Sequence, residues 1–299
     1  MSHIAFLGTG LLGAALASAA KARGEDVVVW NRSHEKAAAL EKEGIRVAAT
    51  AGDAVTDATR VHLVLRDDAV VDEVLASCGE RLKGSVIVDH TTNGPAGTKQ
   101  RAADLVEQGI DYLCAPVFMG PAAARAAKGA IVVSGPPKLY GQVKDALAQM
   151  TGHVEYLGER IELAAVYKLL GNSLFLSMTA ALADSFALAR AQGVTPLEMS
   201  KMFEYINPGA GLKARAKSMA EGDFSPSFEL QMARKDVRLM IEAASDGEVP
   251  LQLLPVICSW MDRLIHEGLG HQDYGALAYE AVVGREPPPP SRAKLNTSD

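Results

Sequence analysis

The chain has 299 residues, 48% of them hydrophobic and 22% charged, which suits about two globular domains and excludes a disordered or fibrous protein. Its 30 Lys and Arg against 36 Asp and Glu give a formal net charge of -6, with no long basic run, so nucleic acid is not an expected partner. The cysteines Cys78, Cys114 and Cys258 form no CxxC pair and no zinc spacing. We therefore expect a reducing, cytoplasmic compartment and no metal site.

The amino-terminal segment is not typical of a secretory signal, because it lacks a basic region and only Ile4–Leu7 precede the first glycine. The most apolar long stretch, residues 164–182, contains Lys168 and Asn172 near its start. A lysine at the centre of a membrane costs about 2.5–3.5 kcal/mol. The composition therefore favours a buried helix of a soluble protein, without a membrane partner.

Short β-branched runs alternate with Ala-rich helical stretches through the first half of the chain. The runs are residues 3–8, 26–32, 60–66, 85–91, 110–117, 130–134 and 153–157. Between the first two, Leu12, Leu16 and Ala20 have helical spacing and Gly24 provides a stop. The pattern predicts an α/β domain over residues 1–160, with a Rossmann-type, doubly wound, mostly parallel sheet.

The second half reads as helix only, which predicts an all-α domain over residues 161–285. It begins with a helix over 161–193, about 50 Å long, that links the domains and is apolar nearly all round. Thr195-Pro196-Leu197-Glu198 has the pattern of a helix start. Further helices are expected over 212–221, 228–245, 251–267 and 273–283, and the proline-rich tail 286–299 is expected to be disordered.

An apolar surface wider than one stripe needs cover from several sides. We therefore expect the helix over 161–193 to pack against a second copy of the chain. The predicted assembly is a homodimer or a tetramer, and the second domain is expected to serve substrate binding and dimerisation.

A glycine-rich turn follows the first predicted strand and opens the first helix. Its residues are Gly8, Thr9, Gly10, Leu11, Leu12 and Gly13, in the pattern G-x-G-x-x-G. In this context the first glycine permits the tight turn, the second lets a pyrophosphate approach the backbone, and the third lets helix and strand pack closely. The phosphates would lie on the free N–H groups of the helix start, so the turn predicts a dinucleotide cofactor; the alternative is a purely structural turn.

The second strand ends at Asn31-Arg32-Ser33, where an NAD site usually has a carboxylate for the ribose 2′-OH. An amide, a guanidinium and a hydroxyl can instead donate to a 2′-phosphate, with Arg32 supplying a charge-assisted bond. The segment therefore predicts NADP(H) as the cofactor. The alternative is that Arg32 is a solvated surface charge.

Two more segments follow strand ends at the same predicted edge of the sheet. Leu65 and Arg66 end the run 60–66, and Thr92 and Asn93 follow the run 85–91. Open α/β sheets bind ligands at the carboxyl ends of their strands, so these residues are predicted to contact the cofactor, and Thr92 also the substrate. The alternatives are a solvated Arg66 and an ordinary helix cap at Thr92 and Asn93.

Lys168 and Asn172 lie one turn apart on the long predicted helix. Reducing a carbonyl leaves an alkoxide that needs a proton donor, and an apolar helix desolvates a lysine and lowers its pKa towards neutrality. Asn172 can hold the substrate or orient the ammonium, and Gly171 between them leaves room for a ligand. We predict Lys168 as the catalytic acid; the alternative is a snorkelling lysine, although seven residues of predicted helix precede it.

Four segments occur in a fixed order along nearly the whole chain: Ile4–Gly13; Asp89-His90-Thr91-Thr92-Asn93-Gly94-Pro95; Ala115-Pro116-Val117 with Gly120-Pro121 and Gly129; and Lys168-Leu169-Leu170-Gly171-Asn172. Together they resemble the β-hydroxyacid dehydrogenase family, which includes 3-hydroxyisobutyrate dehydrogenases and glyoxylate or succinic semialdehyde reductases. Phe228 and Lys235-Asp236 resemble the element of this family that closes on the cofactor. The resemblance implies an NADP(H)-dependent oxidoreductase for a small semialdehyde, 2-oxo acid or 3-hydroxy acid.

One segment departs from the family. Family members that handle small carboxylates usually have Ser-Gly-Gly after Ala-Pro-Val, and this chain has Phe118-Met119-Gly120, predicted here as substrate contacts. A carboxylate at this place would be poorly solvated, so the substrate is less polar or Arg125 meets its carboxylate. Imine reductases have more apolar pockets, but in them Asp or Tyr typically takes the lysine position. An imine reductase and a non-catalytic dinucleotide-binding module remain the alternatives.

Overall fold

The structure is a computed structural model, and it describes residues 3–284. The chain forms two compact units that divide between Leu174 and Phe175. The predicted domain boundary after residue 160 lies earlier in the chain and stays a prediction. The predicted disordered tail, 286–299, lies outside the described residues.

The first unit is built on a six-stranded parallel sheet with the order β3-β2-β1-β4-β5-β6. The strands are β1 His3–Leu7, β2 Val27–Trp30, β3 Arg46–Val47, β4 Ala58–Leu63, β5 Val86–Asp89 and β6 Asp111–Cys114. The order reverses between β1 and β4, so the sheet is doubly wound, as predicted. Only β3 was not predicted from the sequence, because two residues carry no detectable pattern.

Helices cover both faces of this sheet. They are α1 Leu11–Ala22, α2 His34–Ala38, α3 Ala51–Val55, α4 Asp68–Cys78, α5 Pro95–Glu107, α6 Pro121–Arg125 and α7 Pro137–Met150. Successive strand residues point to opposite faces, so Ile4 and Phe6 join one hydrophobic cluster while Ala5 and Leu7 join the other. Burial on both faces explains why the strands read as continuous apolar runs.

A separate three-stranded sheet follows in the first unit. It consists of β7 Val117–Phe118, β8 Ala130–Val133 and β9 His153–Tyr156, with β7 antiparallel and β9 parallel to β8. The seven predicted strand runs are therefore divided between two sheets. The run 110–117 divides at Ala115-Pro116 between the two sheets, because proline has no N–H to continue a ladder.

The long helix α8 is Leu163–Ala191. The expectation of a buried helix is wrong for a single chain, since Leu174, Phe175 and Leu176 are 54–71% exposed. Among the described residues, α8 is the helix with enough length and apolar character to cross a membrane. Residues 3–284 leave much of the apolar surface of α8 exposed.

The second unit contains the end of α8 and five more helices. They are α9 Pro196–Ser200, α10 Pro208–Ala220, α11 Leu230–Asp246, α12 Leu254–Leu264 and α13 Tyr279–Val282, with a π turn at Ile265–Leu269 and 3₁₀ turns at Lys201–Glu204 and Tyr274–Ala278. The helix start at Thr195 is confirmed as a capping box with Glu198. Helix α10 begins earlier than predicted because Asn207 caps it and Pro208 opens it.

Candidate active site

The glycine-rich turn lies between β1 and α1 with its backbone tightly enclosed. Gly8 has a φ of +102°, and a Cβ there would collide with the Val64 carbonyl; a Cβ at Gly13 would collide with the carbonyl of Gly8. At Gly10, by contrast, a Cβ would meet none of the described atoms within 4 Å. The geometry thus matches the three glycine roles that a pyrophosphate site requires.

The buried hydroxyl of Thr9 gives a second indication of a ligand at this turn. Its Oγ1 has no hydrogen-bond partner among the described residues, and an unpaired buried hydroxyl is costly. The N–H of Thr9 donates to Asn31 Oδ1 at 3.0 Å. The residues at the turn therefore fit a dinucleotide phosphate, with Leu11 and Leu12 at the helix start.

A cavity of about 320 Å³ opens beside the turn. It is lined by Gly8, Gly10, Trp30, Asn31, Arg32, Ser33, Lys36, Val64, Leu65, Arg66, Val70, Glu73 and Val74. Three cations lie on its rim, and apolar side chains from the segment after β4 and from α4 form its wall. This arrangement suits an adenosine with a charged phosphate.

Asn31 has a supporting role that the sequence did not indicate. Besides accepting from Thr9, its Nδ2 donates to the Ser33 carbonyl at 3.0 Å. Both ends of the amide are thus engaged, and its direct donation to a phosphate stays a prediction. Arg32 is exposed on the rim, where its guanidinium can reach a ligand.

Lys36 and Glu73 line the cavity but were not predicted. Lys36 lies in α2, shortly after the Asn31-Arg32-Ser33 segment. A second cation so close to Arg32 in the sequence could have indicated a further phosphate contact. Arg66, by contrast, is paired with Asp67 at 2.7 Å, and this hydrogen bond lowers the pKa of Asp67. Asp67 also caps α4 by accepting from Val70 N–H.

A buried carboxylate organises the loop after β5. Asp89 is 1% exposed and accepts from Thr91 N–H at 2.9 Å, Asn93 Nδ2 at 2.8 Å and the Tyr112 hydroxyl at 2.8 Å. Burial raises the pKa of Asp89, although the hydrogen bonds from Thr91 and Tyr112 act to lower it. Thr92 is the exposed residue between two anchored neighbours.

The same loop is tied to the end of β4, because Leu65 N–H donates to Thr91 Oγ1 at 3.1 Å. Asn93 is buried, and its Oδ1 has no partner among the described residues. The two predicted strand-end segments are thus brought together at one edge. Their contacts with a cofactor stay predictions.

Lys168 is half-buried on α8 and donates from Nζ to the Val117 carbonyl at 2.7 Å. The Nζ lies 4.5 Å from the centre of the Phe118 ring. Desolvation lowers the pKa of Lys168, in the direction that a proton donor near neutral pH requires. The helix begins at Leu163, so five helical residues precede the lysine rather than the expected seven. Lys168 is thus still more than one turn from the helix start, where a snorkelling lysine would lie.

Phe118 and Gly171 are matched in size. A Cβ at Gly171 would collide with the Phe118 ring, so the glycine makes room for this ring within the chain itself. Asn172 is half-buried one turn beyond Lys168. Phe118, Lys168 and Gly171 therefore form one cluster at β7 and α8.

The two residues after Phe118 face other surroundings. Met119 packs on the hydrophobic cluster of the sheet and beside Gly129, and Gly120 caps the short helix α6. Arg125 is exposed at the end of that helix. Of the apolar replacements, Phe118 is thus the one beside the lysine.

Phe228 and Lys235 belong to the second unit. Phe228 N–H donates to Asp273 Oδ2 at 3.2 Å, and its ring packs edge-on to Tyr274. Lys235 on α11 pairs with Asp236 at 2.9 Å. Their predicted contacts with the cofactor stay predictions.

Comparison with known proteins identifies the family. Residues 3–158 match the family model of the NAD-binding domain of 6-phosphogluconate dehydrogenase. Residues 163–280 match the model described as NAD-binding of NADP-dependent 3-hydroxyisobutyrate dehydrogenase. The chain belongs to the β-hydroxyacid dehydrogenase family. As a member of this family it is an NAD(P)-dependent oxidoreductase.

Two relatives span nearly the whole length of this chain. The chain is 26% identical over 292 residues to 2-(hydroxymethyl)glutarate dehydrogenase of Eubacterium barkeri, covering 94% of this chain and 96% of that protein. It is 24% identical over 290 residues to an NADPH-dependent reductive aminase of Aspergillus oryzae, covering 95% and 98%.

A solved structure shares the fold. The reductive aminase of Aspergillus terreus in complex with NADPH and ethyl levulinate superposes with a TM-score of 0.88 at 24% identity, covering 94% of this chain and 99% of the other. Among residues 3–284, no group of three or more His, Cys, Asp or Glu is placed to hold a metal.

Proposed function

We propose that this member of the β-hydroxyacid dehydrogenase family is an NADP(H)-dependent reductase of a small carbonyl compound of low polarity, and oxidises the corresponding alcohol in reverse. The observation that carries the proposal is the half-buried Lys168, whose ammonium donates to the Val117 carbonyl beside the Phe118 ring. It is a proton donor with a lowered pKa in an apolar setting.

The proposed roles of the residues follow from these positions. A bound nicotinamide supplies or accepts the hydride. Lys168 Nζ donates a proton to the carbonyl oxygen during reduction and accepts it from the alcohol in reverse. Asn172, one turn further along α8, holds the same oxygen or orients the ammonium.

The low polarity of the substrate is inferred from Phe118. Its ring occupies the side of Lys168 where a charged substrate group would need donors, and burying an unpaired carboxylate is costly. An uncharged aldehyde or ketone needs no such donors. The exposed Arg125 is the remaining candidate for a substrate carboxylate.

The preference for NADP(H) is inferred from the cations on the cavity rim. Arg32 and Lys36 lie where a second-strand carboxylate would otherwise select NAD(H). A guanidinium pairs well with a phosphate dianion. Relatives whose names include NADPH support the same choice.

Imine reduction is the second candidate. The apolar Phe118 beside the proton donor suits an imine as well as a ketone, and a reductive aminase is among the relatives. An imine needs its nitrogen protonated before hydride attack, and Lys168 can supply that proton too. The experiment must therefore offer both substrate classes.

The test is steady-state NADPH oxidation with three groups of substrates: short uncharged aldehydes and ketones, semialdehydes and 2-oxo acids, and cyclic imines. We expect the uncharged carbonyls to be reduced fastest. Fastest turnover of imines would favour the second candidate. Absence of turnover throughout would contradict the proposal and favour a non-catalytic dinucleotide-binding module.

Lys168→Ala should lower kcat by about 10²- to 10⁴-fold, because a positioned proton donor contributes that much. NADPH affinity should change by no more than a few-fold, and Asn172→Ala should cost less. Lys144→Ala, which removes an exposed lysine of α7, is the matched control and should keep wild-type turnover. If folded Lys168→Ala turned over at the wild-type rate, the proton would have to come from water or from Tyr167.

A further inference from the structure

Two buried histidines lie side by side beneath the site and have no role in the proposed reaction. His62 is in β4 and His90 directly follows β5, and both are buried. His62 Nδ1 and His90 Nε2 are 2.8 Å apart. The rings are within 10° of parallel with centres 5.1 Å apart, which suits two rings joined edge to edge by a hydrogen bond.

The spacing does not fit a tetrahedral zinc site at these two nitrogens. With about 2.0–2.1 Å from the ion to each nitrogen, tetrahedral geometry would hold the two nitrogens about 3.3 Å apart, whereas they are 2.8 Å apart, which is a hydrogen-bond distance. The pair is therefore a direct hydrogen bond. It requires one ring to donate and the other to accept.

The partners at both ends of the pair determine which ring donates. Arg60 Nε lies 2.8 Å from His62 Nε2, and a guanidinium can only donate. His62 Nε2 must then accept, so the proton of His62 is on Nδ1 and is donated to His90 Nε2. His90 in turn carries its proton on Nδ1, which donates to the Ala115 carbonyl at 2.7 Å.

The groups at both ends of this series of hydrogen bonds agree with the assigned direction. The series starts at a donor, Arg60, which is fixed by Glu25 at 2.7 Å, and it ends at a carbonyl, which can only accept. Two neutral rings satisfy every position, and an added proton would set two N–H groups against each other. Burial also lowers the pKa of His90 to about 4 and that of His62 well below its usual value.

Ala115, whose carbonyl ends this series of hydrogen bonds, lies where the backbone crosses from the six-stranded to the three-stranded sheet. The next residue is Pro116, which has no N–H. Two residues after Ala115, the Val117 carbonyl accepts the Lys168 ammonium. The crossing segment 115–117 therefore carries the acceptor that fixes Lys168.

We propose that His90 is a positioning residue for Lys168, acting through the Ala115 carbonyl and the crossing segment 115–117, with His62 and Arg60 setting the direction of its hydrogen bonds. The backbone also holds the crossing segment, because Ala115 N–H donates to the Asp89 carbonyl at 2.8 Å and Val132 N–H donates to the Pro116 carbonyl at 3.2 Å. His90 supplies the side-chain hydrogen bond to the Ala115 carbonyl, and without it we expect the Val117 carbonyl to shift from the ammonium. The functional consequence rests on the proposed role of Lys168. The positioning itself can be measured without a substrate.

The first experiment measures the pKa of Lys168 in the full chain, by competitive acetylation over a pH range and mass spectrometry of the peptide. In His90→Leu the pKa should fall by about one pH unit, because the ammonium loses a carbonyl acceptor that stabilises its charge. In His90→Asn it should stay near the wild-type value, because the Asn amide nitrogen lies close to the place of His Nδ1 and still donates to Ala115.

The matched control is His3→Leu. His3 is also buried and bonds a backbone carbonyl, that of Ala54 at 2.9 Å, but it does not touch the crossing segment. Its loss should leave the pKa of Lys168 unchanged. An unchanged or raised pKa in His90→Leu, or an equal fall in His3→Leu, would overturn the proposal.

The second experiment uses ¹⁵N NMR of histidine-labelled protein at neutral pH. His62 and His90, assigned with His62→Gln and His90→Asn, should both be neutral and protonated on Nδ1. A charged ring or an Nε2–H form at either residue would overturn the proposed direction, and this test stands even if His90→Leu fails to fold. If no substrate were found in the panel, the proposed function would fail while these two measurements still decided the positioning.

Discussion

Arg32 is the residue on which the cofactor preference depends most. It is exposed on the cavity rim, and a charge-assisted bond to a 2′-phosphate contributes about 1.5–3 kcal/mol. Arg32→Ala should therefore weaken NADPH binding by about 10- to 100-fold and leave NADH binding nearly unchanged. Titration of the protein with each cofactor, followed by fluorescence, measures both affinities.

The control for this prediction is Arg46→Ala, which removes an exposed arginine of the same unit that pairs with Asp26 at 2.8 Å. It should keep the wild-type preference. Equal wild-type affinities for NADPH and NADH, or an unchanged preference in Arg32→Ala, would contradict the assignment.

At the residue scale, local patterns were predictable from the sequence and long-range partners were not. Gly8, Gly10 and Gly13 could be assigned because the turn, the close approach and the packing arise within six residues. Lys168 could be chosen as a proton donor from its apolar neighbours, but its acceptor Val117 is 51 residues away in the chain. The hydrophobic periodicity of a sequence gives no information about a contact over such a distance.

The match between Gly171 and Phe118 is a feature of two elements, α8 and β7. Alanine at position 171 would favour the helix by about 1 kcal/mol, but its Cβ would collide with the Phe118 ring, and such overpacking costs about 1–3 kcal/mol. We expect Gly171→Ala to lower the free energy of unfolding in the wild type, and to be neutral or stabilising in Phe118→Ala. A double-mutant cycle by urea unfolding measures the coupling.

The same effect of Gly171→Ala in both backgrounds would show that the ring moves aside freely. Phe118 would then be too mobile to define the apolar surroundings of Lys168. The inference of a substrate with low polarity would lose its structural basis, although the role of Lys168 would not.

Asp273 connects three parts of the second unit. Its carboxylate accepts from Gly275 N–H, from the N–H and hydroxyl of Ser227 and from Phe228 N–H, and pairs with Arg215. Burial opposes ionisation, but these hydrogen bonds prevail and lower the pKa from 3.8 to about 2. Because the pKa is lower in the folded state, ionised Asp273 stabilises the folded state at pH values above the unfolded pKa of 3.8. This stabilisation is lost as the pH falls from 3.8 to about 2.

Unfolding of the wild type should therefore become easier over that pH interval. Asp273→Asn should be less stable at neutral pH and should lack this part of the pH dependence. Thermal unfolding at a series of pH values measures both effects. Asp246→Asn, at the exposed end of α11, is the control, and the same pH dependence in wild type and Asp273→Asn would contradict the argument.

At the element scale, the sequence predicted α1, the long helix α8 and the longer strands, but not how the strands divide between sheets. The run 110–117 was predicted as one strand, and Pro116, which lacks an N–H, marks the change of sheet within it. The two-residue strand β3 has too few residues for a period. Both features are determined by pairing with distant strands rather than by local preference.

For the whole molecule, the exposed apolar surface of α8 leads us to expect a partner. Leu176 is 71% exposed, and Leu174 and Phe175 beside it are exposed too, whereas soluble monomers rarely expose large contiguous apolar patches. Length and composition alone would also allow a membrane span. Asp184 argues against that, because its buried carboxylate accepts from three backbone N–H groups at residues 252–254, which makes this half of the helix part of a folded unit.

We therefore expect a homodimer or a tetramer in detergent-free buffer. Light scattering should give about two or four times the chain mass of 31.6 kDa. Leu176→Glu should shift the mass towards a single chain, because association would bury an unpaired carboxylate. Val106→Glu, which places the same charge at another exposed apolar position, on α5, should leave the assembly intact. A wild-type mass of 31.6 kDa at micromolar concentration, or recovery of the protein only with membranes, would show that something other than a second copy covers α8.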